Sequence, residues 1–133
     1  MVDKQEIDRL LPQVYAVLQR EDLGIVKRKK DGRLVISRAF RGQIASFGAA
    51  ITMGSLLAAV AFFSQQNKAM VDRSRLMKAI YLLLNPAGKP TDSLFDYIHK
   101  ERKTRNMKEP VVNACVALKL AMNLFVLDEE GSD

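Results

Sequence analysis

Apolar residues recur at helical spacing over most of the chain. Ile7, Leu10, Leu11, Val14, Val17 and Leu18 fall on one face of a first helix. That helix is predicted to open at Asp3, with Glu6 three residues on completing a capping-box spacing. Pro12 sits inside the pattern and should kink the helix or restart it, because proline lacks an N–H and clashes one turn back. Gly24 supplies a stop. Two β-branched runs, Ile25-Val26 and Leu34-Val35-Ile36, then flank Asp31-Gly32, a dipeptide that favours a tight hairpin turn. The stretch 25–37 therefore reads as a small hairpin or as an extended basic loop.

From Gly42 to Asn67 no residue is charged, and fifteen of the twenty residues from Ile44 to Phe63 are apolar. The pattern predicts one uncharged helix over about 40–66. Helices apolar all round are either core or membrane-spanning. Ser46, Ala50, Gly54 and Ala58 recur every four residues, a stripe of small side chains that lets another helix approach closely. With Gln43, Thr52, Ser55 and Ser64 interspersed, the buried central helix is the preferred reading. A third helix, near 69–84, should bury Met70, Met77, Ile80 and Leu84 and end at Asn85-Pro86. A loop over 85–91 leads to a short helix capped by Thr91 or Asp92, with Leu94, Phe95 and Ile98 turned inward. Pro110 suits the first turn of a last helix that runs to about Leu127, along Val111, Cys115, Leu118, Met122 and Phe125. These elements predict an all-α fold, a compact bundle of five or six helices in a single domain over 1–133. The acidic tail 128–133 is expected to be flexible.

Composition narrows the chemistry. One cysteine and one histidine in 133 residues leave no disulfide framework, and a zinc site drawing on His and Cys is not expected. No cofactor-binding motif is present: Gly88-Lys89 is followed by Pro90 where a phosphate loop needs Ser or Thr, and Leu83 stands in place of its first glycine. His99 has no Ser or Cys partner in the pattern, and Cys115 lies on an apolar helix face where a thiol stays protonated. The chain is thus expected not to be an enzyme. The polar, acidic start MVDKQEID does not read as a secretory signal, so a cytoplasmic location is expected.

Charge supplies the positive signal. Lys and Arg number 21 against 15 Asp and Glu, a net charge of +6. Residues 23–41 hold Lys27, Arg28, Lys29, Lys30, Arg33, Arg38 and Arg41 against Asp31 alone. A second group comprises Lys68, Arg73, Arg75 and Lys78, and a third Lys100, Arg102, Lys103, Arg105 and Lys108. Like charge at this density repels itself unless a polyanion answers it, so nucleic acid is the expected partner. The chain has no Trp, and Tyr15 and Tyr97 are the aromatics expected to be partly exposed. Contact should therefore be to the phosphate backbone, with little base readout.

The segment Arg38-Ala-Phe-Arg-Gly-Gln-Ile-Ala-Ser-Phe-Gly-Ala-Ala-Ile51 and its continuation to Phe62 resembles the small helical subunit of the type III-B (Cmr) CRISPR effector complex. Phe40, Arg41, Ser46, Phe47, Ile51, Gly54, Leu57, Ala61 and Phe62 stand at the matching places. The resemblance implies a non-catalytic subunit that stacks in several copies beside the other subunits of the complex. It also implies contact with guide RNA and target RNA, and no membrane partner. Lys27, Arg28, Lys29, Lys30, Arg33, Arg38, Arg41, Arg73, Arg75 and Lys78 are the candidate RNA-binding residues. Two other readings stay open from sequence: a single-span membrane protein anchored by residues 44–63, and a helical nucleic-acid-binding protein unrelated to CRISPR.

Overall fold

The computed structural model describes residues 2–64 and 73–128. Residues 65–72, with the expected core residue Met70 and the cation Lys68, and the acidic tail from 129 onward lie outside the described residues. Six α-helices and a three-stranded sheet follow in the order α1 (Lys4–Leu18), β1 (Val26–Arg28), β2 (Leu34–Ser37), α2 (Arg38–Met53), α3 (Leu56–Phe63), α4 (Ser74–Leu84), α5 (Leu94–Glu101), α6 (Lys108–Ala121) and β3 (Val126–Asp128). The predicted helical bundle is the fold, with the small sheet laid against it.

Helix α1 opens where the capping pattern places it. The Asp3 carboxylate accepts from the N–H groups of Gln5 and Glu6 at 3.0 and 3.3 Å, satisfying donors that the first turn leaves without partners. The Asp3 N–H in turn donates to Asn113 Oδ1 at 3.0 Å, tying the start of α1 to α6. The apolar stripe Ile7, Leu10, Val14 and Leu18 is buried, mostly against α6 and α4. Pro12 neither ends nor restarts the helix. It is exposed, so the Asp8 carbonyl that loses its helical partner faces solvent.

The stretch 25–37 is a hairpin. Val26 pairs with Ile36 and Arg28 with Leu34 in antiparallel register. Its turn is one residue longer than the dipeptide suggests: the Lys29 N–H donates to the Arg33 carbonyl at 2.8 Å and the Gly32 N–H to the Lys29 carbonyl at 2.9 Å. Gly32, at φ +91°, takes the left-handed position that closes such a loop without steric cost. The third strand, β3, pairs parallel with the other side of β2, Val35 beside Val126 and Ile36 beside Leu127. It replaces the end of the predicted last helix. Helix α6 stops at Ala121, and a 3-10 turn over Met122–Leu124 carries the chain into the strand. Phe125, buried and stacked on Tyr15 at 5.4 Å, anchors that turn.

The uncharged segment is two helices, not one over 40–66. Gly54 takes an extended conformation, and the Ser55 hydroxyl accepts from the Ala58 N–H at 3.1 Å to start α3 afresh. Nor is the segment buried all round. Phe40, Gln43, Ile44, Phe47 and Ile51 face the core, whereas Ala45, Ser46, Ala49, Thr52 and Met53 are exposed. The small-residue stripe lies largely on this open side: Ser46, Gly54 and Ala58 are exposed and Ala50 is half-buried. No helix among the described residues is long and apolar enough to cross a membrane.

Helix α5 is capped by Ser93, whose hydroxyl accepts from the Asp96 N–H at 3.1 Å, one residue beyond the expected Asp92. Asp92 instead accepts from the Tyr81 hydroxyl at 2.8 Å and from the Lys89 N–H at 3.0 Å, pinning the loop 85–92 to α4. The Lys89 N–H and the Tyr81 hydroxyl hold its carboxyl below the usual carboxylate range. Asn85 donates to the same Tyr81 oxygen at 3.0 Å, and Gly88 lies flat against the ring. A β-carbon at position 88 would come within 2.6 Å of two Tyr81 ring carbons, and the hydrogen bonds hold that ring in place. Gly88→Ala is expected to destabilise the fold by about 1–3 kcal/mol, measured by urea denaturation; stability equal to wild type would show that the loop moves freely against α4.

Candidate nucleic-acid interface

The cations of 27–41 lie on the β1–β2 hairpin and the first turn of α2. Strand β2 passes into α2 with no loop between them, Ser37 serving as the N-cap by accepting from the Ala39 N–H at 3.0 Å. Ile36 and Phe40 are buried in the core, and Val35 is buried on the opposite face of the strand. Lys27, Arg28, Lys30, Arg33, Arg38 and Arg41 are exposed and Lys29 is half-buried. At about 3.3 Å per residue, the turn stands roughly 16 Å from Ile36, so the positive charge extends along the hairpin rather than gathering at one point. Two of these side chains are oriented within the hairpin. Arg28 donates to the Gly32 carbonyl at 3.0 Å, and Arg33 pairs with Asp31 at 2.8 Å. The Arg33 N–H and guanidinium hold the Asp31 carboxyl below its ordinary range.

The second group divides by role. Arg75 NH1 donates to the Gly24 carbonyl at 3.0 Å, fixing α4 to the α1–β1 connection. Gly24 has φ +65°, which leaves this carbonyl at a tight turn where the guanidinium meets it. Lys78 is half-buried beside Ser64, Met77 and Leu94. Arg73 lies with its guanidinium carbon 5.2 Å from the Phe62 ring centre and 5.8 Å from that of Phe63, a cation–π arrangement. Of the third group, Lys100, Arg102, Lys103 and Lys108 are exposed. Arg105 pairs with Glu101 at 3.4 Å and donates to the Tyr97 hydroxyl at 3.2 Å.

Arg73 also borders a cavity of about 510 Å³ on the open side of α2. Gln43 lines this cavity; it is 8 % exposed, and its Oε1 has no hydrogen-bond partner among the described residues. An amide oxygen left so costs about 1–3 kcal/mol. Sequence reasoning missed both Gln43 and Phe62, whose ring is 54 % exposed. Both sit in a run that reads as uncharged throughout, and no charge pattern distinguishes its covered side from its open one.

Neither sequence-flagged reactive group is set up for catalysis. Burial pushes the Cys115 thiol up to about 12. His99 is exposed, with its ring stacked on Phe95 at 6.2 Å. Among the described residues no group of three His, Cys, Asp or Glu side chains is placed to hold a metal ion. Comparison with protein-family models, curated proteins and solved structures finds no match for this chain.

Two outcomes follow from these placements. Arg75→Met is expected to destabilise the fold by about 1.5–3 kcal/mol, the worth of a charged hydrogen bond, while leaving affinity for a polyanion within twofold of wild type; thermal melts and binding isotherms on the same preparation separate the two. Cys115 is expected to resist a disulfide reagent at pH 8 in the folded protein and to react as one thiol equivalent in denaturant. Reaction at the native rate of a free thiol would contradict its burial.

Proposed function

We propose that the chain is a non-catalytic subunit of a type III-B CRISPR ribonucleoprotein. In this reading it acts in the cytoplasm and in several copies, contacting the RNA backbone to support guide–target pairing in antiviral defence. The observation that carries the reading is seven cations, Lys27 to Arg41, on a paired hairpin and the helix turn that follows it, six of them exposed. Cations held by a paired hairpin and a helix lose less ordering entropy on meeting phosphates than cations of a free chain. The resemblance over 38–62 supplies the RNA and the assembly. In the same reading any cleavage is left to other subunits.

Backbone contact has a measurable signature, because each phosphate neutralised releases counterions. Log affinity then falls with log salt at a slope of about −0.7 per contact on a single strand. Replacing Lys27, Lys30 and Arg41 together by Glu is expected to weaken binding of a single-stranded RNA by at least about tenfold at low salt and to flatten that slope by about 2. All three side chains are exposed, so circular dichroism should be unchanged. An unaltered slope would overturn the assignment of this face. Used as bait in native cytosol, the chain is expected to recover larger subunits and a short RNA of defined length, and recovery alone and RNA-free would overturn the assembly.

A further inference from the structure

The cavity on the open side of α2 has properties that phosphate contact does not use. Its floor is made of small residues, Ala39, Gly42, Ser46 and Ala50, so a flat group can approach the helix closely. Its far wall is the Arg73 guanidinium laid against Phe62 and Phe63. Gln43, at the boundary of the core and the cavity, also lines it; it is more than nine-tenths buried, with an amide oxygen that accepts from nothing among the described residues. A leucine would fill the same volume without orphaning a polar atom, so a chain selected for stability alone gains nothing from glutamine here. The missing donor is one that a ligand would bring.

A planar cationic wall, a floor without side-chain bulk and one recessed acceptor describe a slot for a flat heterocycle that carries N–H donors. We propose that this cavity takes one unpaired nucleobase of the bound RNA. The base stacks on the Arg73–Phe62 pair and donates an amino or ring N–H to Gln43 Oε1. Aromatic rings and guanidinium planes are the usual stacking partners of splayed-out bases, and a cavity of about 510 Å³ lies within the range that holds a small ligand. The proposal rests on the RNA-binding reading above and adds to it a contact that a base-paired strand cannot make.

The test uses the full chain and a short single-stranded RNA carrying 2-aminopurine, compared with the same strand annealed to its complement. The expected result is tighter binding of the single strand by about five- to one-hundred-fold, the range for one stacked base, with a change in 2-aminopurine fluorescence on binding. Phe62→Ala, at an exposed ring that the fold does not need, should remove most of both effects. Gln43→Leu should weaken the fluorescence change and raise the melting temperature, a combination that a purely structural glutamine would not give. If strand and duplex bind equally and both variants match wild type, the base site is overturned while the charge-reversal result still stands for the basic face. Failure to bind either RNA overturns both readings. If Phe62→Ala releases a protein partner from the native complex and leaves the fluorescence change intact, the cavity is a protein-docking groove and the proposal falls.

Discussion

Strand β2 is the constraint on which the rest of the molecule depends. It is the middle strand of three, hydrogen-bonded on one side to β1 and on the other to β3, and Val35 and Ile36 are both buried. Because it passes into α2 without a loop, the direction of the strand sets the direction of the helix. The hairpin cations, the first turn of α2 and the cavity floor are thereby fixed to one another. A loop between β2 and α2 would leave the same residues present and their spacing undefined.

Helix α2 has two unlike sides. The inner one carries Phe40, Ile44, Phe47 and Ile51 into a core completed by Ile80 and Leu118, where each buried aliphatic side chain contributes about 1.5–3 kcal/mol. After Arg41 the outer side has no charge and, as far as Thr52, little bulk, in a chain that is 27 % charged overall. The arrangement gives up stability that a bulkier outer side or an apolar residue at position 43 would supply. Natural sequences depart from the most stable choice chiefly where a surface has another use.

Much of this was legible in the sequence. The α1 stripe, its Asp3 cap, the inward face of α5 and the burial of Cys115 all follow from periodicity and capping chemistry, and of the two readings of 25–37 the structure has the hairpin. The misreadings share a physical cause. The break at Gly54 lies between two equally apolar runs, so the pattern carries no trace of it until Ser55 is seen capping the second. Strand β3 looks like the tail of a helix because Met122, Phe125 and Val126 fit either period over so short a span, and only the presence of Val35 and Ile36 across the sheet decides between them. Arg75 and Lys78 read as surface charge, yet the fold draws both partly inward. Exposure of Phe62 depends on what does not pack against it, which local sequence cannot express.

The parallel pairing of β2 with β3 joins residue 35 to residue 126, about two-thirds of the 133-residue chain. Closing so long a loop carries an entropic cost that local helices do not incur. During synthesis the hairpin and α2 are made well before β3. The nascent chain therefore carries its most basic element on a sheet with one side still unpaired, and that edge is sealed only when β3 arrives. The basic hairpin is thus made long before the strand that completes its sheet.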